Sequence, residues 1–304
     1  MDATAQFQDR LNQVAKDAES LLDQLFGKVL ASDELARPAR LLDAMRYASL
    51  GAGKRFRPFL VVESASLFGV PREQALLAGV ALECVHCYSL VHDDLPAMDN
   101  SDLRRGRPTC HKTFDDATAI LAGDGLLTLA FEVLAQPDTH GDAAVRCELV
   151  AALAQAAGSH GMVGGQMIDL IAEHRPDLDI GAITRLQRLK TGALIAFACE
   201  SGAILGKASM DLRSALRGYA HDLGLAFQIA DDLLDVEGSA AETGKPVGAD
   251  AAAGKATFVS ILGAPRARAQ AELLVRQAVA HLDLFEQRAE LLREAARFVI
   301  TRRT

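Results

Sequence analysis

Leu223-Gly224-Leu225-Ala226-Phe227-Gln228-Ile229-Ala230-Asp231-Asp232-Leu233-Leu234-Asp235 decides the fold class. Gln228, Asp231 and Asp235 follow an i, i+3, i+7 spacing, which makes one polar stripe on a helix and leaves Leu225, Ile229 and Leu233 to face packing neighbours. A second acidic run, Asp93-Asp94-Leu95-Pro96-Ala97-Met98-Asp99, also follows a long apolar stretch, Leu76 to Val91. Asp93 and Asp99 lie about 240° apart around a regular helix and share no face unless the helix is interrupted. Pro96 supplies an interruption, because it lacks an N–H, clashes with the preceding turn and disfavours a helical Leu95. The helix is therefore expected to bend or end there, with Asp99 swinging back beside Asp93.

Carboxylates ~5 Å apart repel by roughly 3 kcal/mol per pair at an effective dielectric near 20. Two such clusters brought together would consume much of a domain's ~5 to 15 kcal/mol of stability, so a cation is expected between them. All-oxygen, acid-rich ligation points to a hard ion that keeps waters and shares phosphate oxygens, as Mg²⁺ does. The candidate ligands are Asp93, Asp94, Asp99, Asp231, Asp232 and Asp235. The competing reading of each cluster alone is a solvated acidic helix end.

Working outward, apolar residues recur at helical spacing from the start of the chain, as in Phe7, Leu11, Val14, Ala18, Leu21, Leu22 and Leu25. Half of the 304 residues are hydrophobic, Trp is absent and aromatics make up 5%. Helix formers dominate and no strand-period alternation of useful length occurs, so the chain is expected to be all-α: a single domain, residues 1–304, of ten or more helices around a deep central cavity. Short turns are expected at Gly51-Ala52-Gly53, Gln136-Pro137-Asp138, His140-Gly141-Asp142 and Arg175-Pro176-Asp177. The stretch from Glu237 to Lys255 is the longest loop candidate, long enough for a binding role or a lid.

A net charge of −8 argues against a nucleic-acid partner. Basic residues nevertheless come in knots, Lys54, Arg55 and Arg57, then Arg104, Arg105 and Arg107, then Lys190, Lys245 and Lys255, as suits a small anion. Asp2, Asp9 and Arg10 break any signal-peptide pattern. Residues 149–168 lack charges and are long enough to cross a bilayer, but Gln155, Ser159, His160, Gln166 and four glycines argue against a lipid-facing helix. A cytoplasmic protein without a membrane span is the expectation. Five cysteines without an export signal read as reduced thiols, and Cys84 with Cys87, mid-helix among apolar neighbours, read as core rather than as zinc ligands.

Seven motifs in register resemble the trans-isoprenyl diphosphate synthases, and within them the bacterial-type farnesyl diphosphate synthases. They are Gly53-Lys54-Arg55-Phe56-Arg57-Pro58; His86; Asp93 to Asp99 with Leu103-Arg104-Arg105-Gly106; Gly164-Gly165-Gln166 with Asp169; Lys190-Thr191-Gly192; Phe227-Gln228 with Asp231 to Asp235; and Gly244-Lys245. The resemblance implies a homodimeric all-α prenyltransferase that joins isopentenyl diphosphate to dimethylallyl or geranyl diphosphate. It implies several Mg²⁺ ions on the aspartates, and Arg104, Lys190 and Lys245 as donors to the leaving diphosphate. Gln228 and Thr191 fall near the allylic cation. Lys54, Arg57, Arg105 and His86 fall on the isopentenyl diphosphate. Arg302-Arg303 either close over that site or form a frayed basic tail. In that bacterial class an aromatic at the Tyr88 position, beside Ser89, goes with a fifteen-carbon product. A geranylgeranyl diphosphate synthase is the nearest alternative; a terpene cyclase has no use for the Lys54, Arg57 and His86 set, and a non-catalytic partner subunit is expected to lack one aspartate cluster.

Overall fold

The computed structural model describes residues 3–27, 35–51, 53–172, 179–237 and 257–302. The architecture is all-α, as its periodicity implies. Backbone contacts group the chain into two compact units, one of residues 8–62 and 71–150 and the other of residues 1–7, 63–70 and 151–304. Three of the four boundaries fall inside the helices α1 (Ala3–Gly27), α3 (Phe56–Ser66) and α7 (Ala143–Ala157), and the fourth follows α3.

The first unit is organised around α4 (Arg72–Asp93), which packs on α6 (Asp116–Ala135) and on α2 (Ala39–Ser49). α4 carries apolar residues on nearly every side and is buried accordingly, from Ala78 through Val85 without a break. Leu11, Val14, Ala18 and Leu22, the stripe read from the sequence, are buried along α1. Arg72 of α4 is paired with Asp17 of α1 at 2.6 Å. Between α4 and α6 lie a two-residue antiparallel ribbon, β1 (Leu103–Arg104) with β2 (Arg107–Pro108), and the single turn α5 (Cys110–Thr113). The ribbon is absent from the sequence reading. Its turn has positive φ at both central residues, Arg105 (53°) and Gly106 (74°), the arrangement that matches the twist of a two-residue hairpin.

The second unit is built on α11 (Met210–Glu237), which packs on α10 (Ala193–Leu205), on α13 (Ala264–His281) and on α14 (Glu290–Thr301). Tyr219 of α11 is fully buried, and its hydroxyl donates to the Leu292 carbonyl at 2.7 Å. α8 (Met162–Ala172) and α9 (Ile180–Gln187) flank a π-helical turn, Arg188–Gly192, that runs straight into α10. A short helix, α12 (Phe258–Leu262), precedes α13. The uncharged stretch 149–168 is not one helix: α7 stops at Ala157 and α8 starts at Met162.

Two described helices, α4 and α6, have the length and apolarity to cross a bilayer. In their most apolar windows, 72% of α4 and 44% of α6 is buried inside the protein, which the core helices of a folded unit also achieve. The turns expected near Gly51, Gln136 and His140 are present as breaks between helices. The turn at Arg175-Pro176-Asp177 and the loop candidate with Lys245 and Lys255 lie outside the described residues, apart from Glu237 at its start.

Candidate active site

In the first unit α4 ends at Asp93, three residues before Pro96. The chain then folds back so that the Asp99 N–H donates to the Asp93 carbonyl at 2.9 Å, and the Ser101 N–H donates to that of Asp94 at 3.1 Å. Asp99 is therefore returned to the end of the helix that carries Asp93, as the proline requires. Asp93 is half-buried and Asp99 exposed. Carboxylates in the last turn of a helix face the negative end of its dipole, at a cost of about 0.3–1 kcal/mol each. Such placement favours a cation over a purely structural role.

Asp94, counted above among the metal ligands, is turned inward instead. Its side chain is buried, and the Arg104 guanidinium donates to both carboxylate oxygens, through Nε at 2.9 and 2.8 Å and through Nη2 at 2.7 Å. This forked pair anchors β1 to the end of α4 and occupies both residues. Arg104 was expected to donate to diphosphate; here two of its nitrogens are held by Asp94.

The other basic residues gather around His86 of α4. Burial pushes the His86 pKa well below its ordinary value, and the charges of Arg57, Arg105, Arg104 and Arg55 lower it further, so the ring is neutral at pH 7. Burial keeps the histidine neutral, and the four guanidiniums that lower it further mark a concentration of positive charge. Gly53 (φ 144°) lets this set close up: a β-carbon there would come within 2.7 Å of Arg105 Nη1. Lys54 is exposed beside it and Arg57 half-buried.

Next to Asp94, a small pocket of ≈ 60 Å³ is lined by Tyr47, Leu90, Arg104, Arg105 and Arg107, among others. The Arg107 guanidinium lies over the Tyr47 ring at 4.4 Å, and the Tyr47 hydroxyl donates to the Pro108 carbonyl at 2.6 Å. One turn before Asp93 on α4, Tyr88 is buried with its ring edge-on to His92 at 5.7 Å. The Ser89 hydroxyl donates to the His86 carbonyl at 2.8 Å.

In the second unit the π turn carries Lys190 and Thr191. A β-carbon at Gly165 would fall 2.2 Å from the Lys190 backbone nitrogen, so Gly165 is what allows α8 to meet this turn closely. Asp169, one turn further along α8, holds the Lys190 ammonium at 2.5 Å. The Thr191 hydroxyl donates to Gln228 Oε1 at 3.2 Å, and Gln228 Nε2 donates to Asp232 at 2.9 Å. Thr191 is thereby linked through Gln228 to α11, while Lys190 is held by Asp169 of α8, pairings that spacing on the chain alone could not establish.

Asp232 is the counterpart of Asp94. It is buried, and its second oxygen accepts the Phe258 N–H at 2.9 Å, tying α12 to α11. Asp231 and Asp235 remain half-exposed on the stripe. Asp231 accepts from Arg302 Nη2 at 2.5 Å, and the Arg302 guanidinium lies 3.7 Å from the centre of the Phe227 ring. Arg302, which the sequence left between a residue closing over the isopentenyl diphosphate and a basic tail, stands here on the second aspartate cluster, where a cation is expected.

Among the described residues no three His, Cys, Asp or Glu side chains form a metal cage by themselves. The pairs that are present, Asp93 with Asp99 and Asp231 with Asp235, are hard oxygen donors, and a guanidinium already stands in for a cation at Asp231. That donor set fits Mg²⁺, which keeps several waters and completes its shell with substrate phosphates. Cys84, Cys87 and Cys110 are buried, and burial raises all three thiol pKa values.

Residues 38–294 match the family model described as polyprenyl synthetase, and the chain belongs to that family. It is 42% identical to the farnesyl diphosphate synthase of Haemophilus influenzae over 98% of this chain and 99% of the relative. It is 41% identical to the geranylgeranyl diphosphate synthase of Cyanophora paradoxa over 87% of this chain and 88% of the relative. The crystal structure of an FPP/GFPP synthase from Zymomonas mobilis in its apo form is 51% identical, with a TM-score of 0.86 and coverage of 98% of this chain and 99% of that one.

Proposed function

We propose that this chain is a trans-prenyltransferase that condenses isopentenyl diphosphate with dimethylallyl or geranyl diphosphate, head to tail, to give (E,E)-farnesyl diphosphate. What supports the reading is the clustering of basic residues: Gly53 lies close against Arg105 Nη1, Lys54 is exposed beside it, and Arg57, Arg105 and Arg104 surround His86. This set matches a dense, multiply charged diphosphate and has no counterpart requirement in a one-substrate cyclase. Arg105 and Arg57 offer forked contacts, Lys54 a point charge and His86 a neutral N–H, so isopentenyl diphosphate is held by protein cations alone.

The allylic diphosphate is assigned to Lys190 and Lys245 as direct donors, with Arg104 contributing while Asp94 fixes its plane. Lys245 lies outside the described residues. Asp93 and Asp99 of one unit, and Asp231 and Asp235 of the other, would hold Mg²⁺, which would supply the positive charge that lets the diphosphate leave. The Thr191 hydroxyl and Gln228 Oε1 present oxygen dipoles that stabilise an allylic cation without attacking it. The C–O bond breaks with its electrons on the diphosphate, the isopentenyl alkene forms the new C–C bond, and the proton lost from the adduct goes to the departed diphosphate.

Tyr88, buried on α4 about 7 Å below the Asp93 end, is assigned as the floor that stops growth at fifteen carbons. The geranylgeranyl alternative is supported by a relative of nearly equal identity. A homodimer is the expected assembly. Incubation with isopentenyl and geranyl diphosphates, with and without EDTA, followed by mass spectrometry of the product, tests the reading. Farnesyl diphosphate, lost with EDTA, is expected; a twenty-carbon product moves the assignment to the alternative, and the absence of any condensation refutes it.

A further inference from the structure

Arg55 lies between two proposed diphosphate donors and cannot be one itself. Its side chain is 1% exposed and is committed inward: Nη1 donates to Glu83 Oε1 at 2.7 Å, and Nη2 donates to Glu19 Oε1 at 3.0 Å and to the Ser49 carbonyl at 2.5 Å. Glu83 is itself buried, at 3% exposure. The backbone at Arg55 has φ 49°, a left-handed conformation that is unfavourable for a residue with a β-carbon. A buried ion pair and a strained backbone at one residue are unfavourable for stability alone.

Their geometry supplies a reason. Glu83 precedes His86 by three residues on α4, so the two occupy adjacent turns of one face. Arg55 in turn fixes the conformation of the loop from Gly53 to the start of α3, from which Lys54 and Arg57 project. Glu19 adds α1, and Ser49 adds the end of α2, to the same guanidinium. One side chain thus joins the carrier of Lys54 and Arg57 to the carrier of His86.

We propose that Arg55 is a positioning residue whose ion pair with Glu83 sets the register of Lys54 and Arg57 against His86, and so sets the affinity for the isopentenyl diphosphate headgroup. The inference rests on the preceding assignment of that set to isopentenyl diphosphate. A role confined to stability differs in its consequences. Replacing a buried ion pair by apolar residues of similar volume is often neutral or stabilising, whereas a lost register weakens binding even in a well-folded protein.

The test uses the full-length chain carrying Arg55→Met with Glu83→Met. Isopentenyl diphosphate affinity is measured by calorimetry without metal, and KM is measured separately for isopentenyl and geranyl diphosphates. The melting temperature is expected to stay within a few degrees of wild type, while Kd and KM for isopentenyl diphosphate rise about tenfold or more and KM for geranyl diphosphate does not change. Glu83→Gln, which retains the shape and removes the charge, provides the same readout if the double variant does not fold, with a smaller rise of the same sign. Wild-type isopentenyl diphosphate affinity in either folded variant overturns the proposal. Arg57→Gln separates the two levels of inference: if it also binds isopentenyl diphosphate like wild type, the assignment of the basic set fails, and if it alone loses binding, only the positioning role does.

Discussion

Replacing Asp94 distinguishes a metal ligand from an internal anchor, and the structure sets the size of the effect. The Asp94 side chain is 4% exposed and accepts the two-nitrogen fork of Arg104, which is 22% exposed. Removing one partner of a buried pair costs about 3–5 kcal/mol because the other charge is left stranded. The exposed part of Arg104 lets water recover some of that, which places Asp94→Ala near the lower end, about 3 kcal/mol. Asp94→Asn keeps one acceptor oxygen and falls to about 2 kcal/mol. With an unfolding entropy of about 2.1 cal/mol/K per residue, the 304-residue chain loses roughly 3 to 5 °C in melting temperature. Circular dichroism at 222 nm is the suitable probe, since the chain has no Trp. Mn²⁺ binding, followed by electron paramagnetic resonance, is expected to stay within about twofold of wild type for Asp94→Asn and to weaken at least tenfold for Asp93→Asn. Unchanged melting with lost Mn²⁺ affinity in Asp94→Asn would refute the anchor and restore Asp94 as a ligand.

Tyr88→Ala is expected to lengthen the product beyond fifteen carbons, read by mass spectrometry of the dephosphorylated alcohols; an unchanged product removes Tyr88 as the floor. Arg302→Met frees Asp231 from a cation that a metal must displace, so Mn²⁺ affinity should rise about three- to tenfold, a gain reduced by the half-exposure of Asp231; equal affinity excludes the competition. His86 has its folded pKa depressed below the ordinary 6.5, so the unfolded chain binds the extra proton first as pH falls. Its contribution to stability is complete above about pH 6.5 and is lost progressively below it, at up to ~1.4 kcal/mol per pH unit until the depressed folded pKa is reached. Urea unfolding at pH 7 and pH 5 should show a smaller difference for His86→Gln than for wild type, and equal differences would contradict the depressed pKa.

Much of this was legible because helices encode their faces locally. The stripe of Leu11, Val14, Ala18 and Leu22 is buried as its period requires, and Pro96 ends α4 early and returns Asp99 to Asp93. The ribbon at Arg105-Gly106 and the π turn at Arg188–Gly192 were not legible. The first depends on an arginine adopting positive φ, and the second on a helical pattern that lengthens by one residue without changing its composition. Glu83 carried a signal that went unused: it is the one acidic or basic residue between Leu76 and Val91, apart from His86, and a lone charge in such a run calls for a buried partner.

The sequence by itself determined that the chain is helical, that hard oxygen donors occupy two helix ends and that basic knots accompany them, because each of these follows from residue type and spacing within a few turns. Only the tertiary structure divided the six aspartates by task. Asp94 turns to Arg104 ten residues on, Asp232 to the Phe258 N–H, and Asp231 to Arg302 at the far end of the chain. Adjacent carboxylates are equivalent as letters; they become different groups when the returning chain buries one with a partner and leaves its neighbour facing solvent.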